Sequence, residues 1–189
     1  MPHSFTISYP KITGKIISDV GVYNQIPDGA KVVPWDPKYK ALWDTGATKT
    51  CVSKKLARQL QLKPVGYAFI HSASGYGDEP SPAFHVGITL PNKVFISELK
   101  VLLTDLPDDF DVLIGMDIIN KGDFAISNRN GKTVFTFRTP SVAEIDFVSA
   151  KKANEKIGRN SKCPCGSGKK HKFCCERKEK VAETRSEKK

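Results

Sequence analysis

The chain is expected to fold as an all-β body with two short helices, followed by a small cysteine-rich module. Three observations carry this expectation. Over about the first 140 residues, short runs of alternating and β-branched residues recur between Gly, Pro and Asn punctuation. Only two stretches, one after Val52 and one near Met116, shift to helical spacing. Four of the five cysteines fall between positions 163 and 175, where the β pattern has already stopped.

Taken in order, Phe5 to Tyr9 and Lys15 to Val20 alternate as strands, with Pro10 and Gly14 between them. Lys40 to Trp43 is a further strand that runs into Asp44-Thr45-Gly46. Ser53 is placed to cap a short helix that runs to Leu60, and Pro64 ends that pattern. Tyr67 to Ile70 and Phe84 to Ile88 predict strands flanking a small, polar loop with Ser72, Ser74, Gly75, Gly77 and Pro80. Val94 to Ile96 and Leu99 to Leu103 follow as two strands, then Val112 to Ile114, then a helical turn from Met116 to Asn120. Phe124 to Ser127 and Thr133 to Phe137 are joined across Asn130-Gly131, a pair that tolerates the positive φ of a hairpin. No internal repeat is visible.

With 189 residues, 39% of them apolar, the chain can form one well-cored domain plus a small module. Its net charge of +10 is unevenly spread, because Lys151 to Lys189 hold 14 Lys and Arg against 5 Glu. The body is therefore nearly neutral, and an acidic partner or a polyanion is to be sought at the tail. The start, Met1-Pro2-His3-Ser4, lacks the basic residues and apolar run of a secretory signal, and no stretch has the length of a membrane span. These features predict a cytoplasmic protein, where clustered cysteines bind metal more often than they form disulfides.

Chemistry concentrates first at Ala41-Leu42-Trp43-Asp44-Thr45-Gly46-Ala47-Thr48, where a carboxylate sits in a tight turn directly after an apolar strand. Some seventy residues later Asp111-Val112-Leu113-Ile114-Gly115-Met116-Asp117 is a second apolar strand ending in Gly-x-Asp. Together the two segments resemble the single-lobed retropepsin family of aspartic peptidases. That resemblance, over about residues 5 to 138, implies a closed β-barrel and an aspartic endopeptidase. Acid-type peptide hydrolysis needs two carboxyl groups sharing one proton, one to activate water and one to protonate the carbonyl oxygen. With one such motif in the chain, the resemblance implies a homodimer in which Asp44 of each copy meets on the two-fold axis. It assigns Thr45 to bracing the two turns and Gly46 to a close backbone approach, making Asp44, Thr45 and Gly46 the catalytic set. It places a substrate-covering flap at Ser72 to Asp78, with Ser74, Gly75, Tyr76 and Gly77 as substrate-binding residues, and no cofactor in the peptidase site. Gly115 is expected to leave room for the catalytic turn, and Asp117 to cap the helix after it. Gly21 to Tyr39 looks like an insertion.

Other candidates read more plainly. Asp105, Asp108, Asp109 and Asp111 lack the spacing of a calcium loop and suggest a solvated acidic loop. Cys51 is expected to be a small buried hydrophobe, and His71 and His85 have no ligand spacing.

The second concentration is Cys163-Pro164-Cys165, eight further residues, then Cys174-Cys175. Four thiolates around a Gly-rich turn suit one tetrahedral zinc ion with no open position, a structural site. From Ile157 to Cys175 the sequence resembles, nearly residue for residue, the SEC-C motif known from the carboxyl terminus of the secretion motor SecA. The resemblance implies Zn2+ bound by Cys163, Cys165, Cys174 and Cys175, with His171 as an alternative to one thiolate. It also implies docking to a protein partner or the ribosome, while the charge alone allows nucleic acid. The expected organisation is a peptidase domain at 1–145, a basic linker at 146–156, the SEC-C motif at 157–177 and a charged tail at 178–189. Two rivals stay open: a noncatalytic dimeric adaptor that grips peptides, and a ribosome- or nucleic-acid-binding protein whose β body is a dimerising handle.

Overall fold

The computed structural model describes residues 3–24, 35–72, 75–76, 79–91, 94–146, 158–163 and 167–175. The chain divides into two compact units, Met1–Ala143 and Glu144–Lys189.

The first unit is built from twelve described strands: β1 (His3–Tyr9), β2 (Ile16–Tyr23), β3 (Tyr39–Trp43), β4 (Cys51–Ser53), β5 (Gly66–Ala68), β6 (His71–Ser72), β7 (Gly75–Tyr76), β8 (Ser81–Leu90), β9 (Val94–Thr104), β10 (Val112–Ile114), β11 (Asp123–Ser127) and β12 (Thr133–Thr139). Two short helices, α1 (Lys54–Gln59) and α2 (Met116–Ile119), interrupt them. Six strands, in the order β2-β3-β10-β4-β9-β8, form a ring that β2 and β8 close, so the expected barrel is present. On β8, Phe84, Val86, Ile88 and Leu90 share one face and are buried, and on the other face His85 is exposed while Ala83, Gly87 and Thr89 are covered as well. Burying each side chain of the first face stabilises the fold by roughly 1.5–3 kcal/mol.

A separate antiparallel sheet, β1-β12-β11, lies against the barrel through aromatic side chains. Phe5, Phe135, Phe137 and Phe124 surround Trp43 of the barrel, with ring centroids 5.0–6.0 Å from the indole. The indole N–H, buried with the ring, donates to Ser18 Oγ at 2.9 Å.

Two expectations are revised and one strand is added. The two strands read at Val94 to Ile96 and Leu99 to Leu103 are one strand, β9. Ser97 and Glu98 together face the single residue Gly87, with Glu98 at φ 50°, so the polar break in the pattern is a bulge rather than a turn. Cys51–Ser53 is a strand, too short to show alternation, that joins β10 to β9. Gly21 to Tyr23 belong to β2 and pair with Thr89 to Gly87 of β8, so part of the segment read as an insertion closes the barrel.

Two local signals hold. Ser53 caps α1, its Oγ accepting from the Leu56 N–H at 3.1 Å. The β11–β12 connection uses Asn130 at φ 57° and Gly131 at φ 72°, the backbone region that Asn-Gly was expected to supply. No helix of the described residues is long and apolar enough to cross a membrane.

Candidate active site and metal centre

The Asp44 turn is positioned by the parallel pairing of β3 with β10, which sets Leu42 opposite Leu113 and Trp43 opposite Ile114. Parallel neighbours end at the same side, so the strand feeding Asp44 and the strand feeding Gly115 deliver their loops together. The Asp44 N–H donates to the Ile114 carbonyl at 2.9 Å, and the Met116 N–H to the Ala47 carbonyl at 2.8 Å. A methyl group on Gly115 would lie 2.6–2.8 Å from the backbone of Lys49 and Ala47, so only glycine lets the two segments meet. Trp43, locked in the aromatic cluster, fixes the residue immediately before the carboxylate.

Asp44 is half-buried, while Thr45 and Gly46 are exposed. The Gly46 N–H donates to Asp44 Oδ1 at 2.8 Å, and among the described residues this is the hydrogen bond that the carboxylate receives. No second carboxylate of the described chain pairs with it.

A residue that the sequence reading passed over supports the turn from below. Thr50 is fully buried; its hydroxyl donates to Asp117 Oδ1 at 2.6 Å and accepts from the Gly115 N–H at 3.2 Å. Its backbone N–H is 3.0 Å from both Asp117 oxygens. Asp117 thus ties the two loops together and does not cap α2, whose N-cap is Gly115 without a side-chain bond. The available signal was positional, since Asp117 is the second helical residue and an N-cap precedes the first.

The expected flap segment forms a hairpin: β5 pairs with β8, and beyond it Ser72 pairs with Gly75 and His71 with Tyr76. Gly75 and Tyr76 lie in β7, whereas Ser74 and Gly77 fall outside the described residues. Between the hairpin base and the Asp44 turn is a cleft of about 290 Å³, lined by Gly46, Ala47, Thr48, Lys49, Cys51, Phe69, Ile70 and Leu102. A groove of about 360 Å³ beside α1 contains none of these turn residues, so the smaller cleft is the one that adjoins the candidate chemistry.

Cys51 is buried as expected, and burial first, then the Asp117 charge, push its thiol up to about 11. Such a thiol is not an activated nucleophile. The acidic loop is only partly solvated. Asp105 is open and pairs with Lys54, but the Asp111 side chain is 12% exposed, accepts from the Lys40 N–H at 3.1 Å and meets Lys55 at 3.3 Å.

In the second unit, a pairing of Lys162 with Lys170 brings the two ends of the cysteine pattern together. The Cys163 N–H donates to the Lys169 carbonyl at 2.8 Å and the His171 N–H to the Ser161 carbonyl at 2.9 Å. Gly168 takes φ 70° in the turn between them. The Sγ atoms of Cys163, Cys174 and Cys175 all lie within 4.8 Å of one another, and they are not joined by disulfides. Sulfurs around tetrahedral zinc, at bonds of about 2.3 Å, stand about 3.8 Å apart, so the donor set fits one such ion. Ser167 Oγ is 3.1 Å from Cys174 Sγ, within reach to support a thiolate. Cys165 lies outside the described residues, and His171 does not join the sulfur cluster.

Comparison with known proteins agrees with this division. Residues 36–121 match the family described as "gag-polyprotein putative aspartyl protease", and residues 159–177 match the SEC-C motif. Among curated proteins, the protein translocase subunit SecA of Syntrophus aciditrophicus is 63% identical over 28 residues, 15% of this chain and 3% of that protein. SecA of Desulforapulum autotrophicum is 72% identical over 25 residues, 13% of this chain and 3% of that protein. The chain therefore spans only a few hundredths of the length of these relatives. Among solved structures, a retropepsin-like aspartic protease from Rickettsia conorii superposes with a TM-score of 0.45 at 15% identity, covering 74% of this chain and 96% of that one. The retroviral protease-like domain of Ddi1 from Leishmania major gives 0.38 at 12% identity, covering 66% and 95%. Superpositions this loose add no weight to the sequence match and the barrel geometry. The chain thus places a stretch similar to gag-polyprotein aspartyl proteases ahead of a stretch that matches the SEC-C motif.

Proposed function

We propose that this protein is a homodimeric aspartic endopeptidase whose paired Asp44 carboxylates activate a water molecule, and that its SEC-C module binds zinc and docks the enzyme to a partner. The observation that carries the reading is the Asp44 turn: an exposed tip bearing a carboxylate, braced by Thr50 and Asp117, beside a cleft under a hairpin.

A second copy supplies the missing carboxyl group. Two such groups in contact repel each other as anions, which favours a pair that shares one proton. The ionised Asp44 takes a proton from water as the water oxygen bonds to the scissile carbonyl carbon. The protonated Asp44 gives its proton to the carbonyl oxygen. The resulting gem-diol breaks its C–N bond as the amide nitrogen is protonated and a hydroxyl proton returns to the dyad. Gly46 N–H holds the carboxylate in plane, and Thr45 is placed to bond across the two-fold axis.

Zinc, when bound, supplies a fixed centre around which the short basic segment folds; Cys163, Cys174 and Cys175, with Cys165 as fourth ligand, would hold it. Residues 158–175 contain Arg159, Lys162, Lys169, Lys170 and Lys172 and no acidic residue. Phe173 is 63% exposed beside Lys172. This surface suits an acidic partner in the cytoplasm, where the thiols stay reduced.

The test is incubation of the protein and its Asp44→Asn variant with a diverse peptide mixture from about pH 3 to 8, a range spanning a coupled carboxyl pair. Products are read by mass spectrometry and the oligomeric state by sedimentation. Cleavage by the unsubstituted dimer alone is the expected result. Two dimers that bind peptides equally and cut none would establish the adaptor instead.

A further inference from the structure

The cleft beside the Asp44 turn is apolar along its walls and charged at one point. Ala47, Cys51, Phe69, Ile70 and Leu102 supply the walls, and Lys49 is the one lining residue that is charged at neutral pH, since the Cys51 thiol is held neutral by burial. Lys49 is exposed and forms no ion pair with any described residue. The nearby carboxylate of Asp117 is already engaged by Thr50 from two directions.

We infer that this cleft selects the substrate, taking a side chain with an apolar stem and a carboxylate end, glutamate before aspartate, with Lys49 as the specificity-determining residue. The inference rests on the peptidase reading for its location and on the cleft's own chemistry for its content. A glutamate brings two methylenes for the apolar walls and a carboxylate for the ammonium of Lys49. Aspartate brings one methylene fewer for the same walls. A leucine covers the same walls but leaves the lysine hydrated and unpaired, and a lysine side chain brings like charges together.

An exposed ion pair is worth at most about 1 kcal/mol, which sets the expected preference at roughly fivefold for Glu over Gln at one substrate position. The discrimination against Lys should be larger. Peptides carrying Glu, Gln, Leu or Lys at each position in turn are compared in two arms. The first is cleavage by the unsubstituted protein; the second is binding to Asp44→Asn by fluorescence anisotropy. The expected result is one position where Glu exceeds Lys, with a ratio that shrinks as salt rises from about 0.05 to 0.5 M. Lys49→Glu should invert that ratio and Lys49→Arg should keep it.

Asp44-dependent cleavage without charge preference at any position, or a preference that Lys49→Glu leaves in place, overturns the inference while sparing the peptidase. Charge-selective binding that Lys49→Glu inverts, with no cleavage, overturns the peptidase and keeps the cleft assignment. Absence of both cleavage and binding overturns both.

Discussion

The two units hold their functional groups in place by opposite means. In the body, Asp44 is fixed by a hydrophobic core: Trp43 sits among four phenylalanines, and two parallel strands deliver the Asp44 turn and its Gly115 partner together. Among the described residues of the cysteine module Cys163 is the one that is buried, while Phe173 is exposed, so the described segment has a cluster of sulfurs where the body has an apolar core. A core of the first kind exists without its substrate; a fold of the second kind depends on its ligand. The comparison therefore predicts that the units fail under different insults.

The largest effect expected is on metal removal. A strong chelator, or the double substitution of Cys174 and Cys175 by Ser, should abolish the dispersed amide NMR signals of residues 158–175 altogether. Signals from the barrel should stay in place. Loss of barrel signals on chelation would break the comparison at its root.

Next in size is Trp43→Ala, which empties the centre of the aromatic cluster and removes the donor to Ser18. Large-to-small changes of this kind cost about 3–5 kcal/mol. Denaturant unfolding of the body should register the loss, and zinc affinity should not move. Trp43→Phe should recover most of the packing but leave the buried Ser18 hydroxyl without its indole partner.

A smaller effect is expected at the brace. Thr50→Val keeps the shape and deletes the hydroxyl that links Asp117 to the Gly115 N–H. Leaving those groups without it should cost about 1–3 kcal/mol. If the brace also positions Asp44, peptide turnover should fall further than the loss of folded protein explains. Equal losses would mark Thr50 as purely structural.

How much of this was legible in the sequence follows the same contrast. Asp44-Thr45-Gly46 and the cysteine spacing are contiguous signals, so each candidate can be named without help from tertiary structure. The Thr50 to Asp117 tie joins residues 67 positions apart in sequence, and nothing local announces it. The bulge at Glu98 and the strand at Cys51–Ser53 were missed for a related reason, because pairing partners decide them rather than their own periodicity. Lys49 reads as one more surface lysine until the fold sets it on the rim of a cleft that Leu102 and Ile70 help to line.

The finest separation between the units is expected on acidification. Asp123 of β11 accepts from Ser141 Oγ, the Val142 N–H at 3.1 Å and Arg138 Nε at 2.8 Å. The Ser141 bond is the largest cause, followed by the Val142 amide and Arg138, and together they hold the carboxyl at about 2 against an ordinary 3.8. A carboxyl with a depressed folded pKa stabilises the fold fully above its unfolded value. That contribution is lost as pH falls from about 4 through about 2. A metal bound at the module would instead compete with protons for the same sulfurs, so acid would favour its release. Acid titration followed at both units should therefore empty the module first, with the segment at Ser141 and Val142 loosening only at the acid end. Asp123→Asn should flatten that last limb of the body's stability profile and leave the pH midpoint of zinc release where it was. A shared midpoint would show that the two units do not stand apart in their stability.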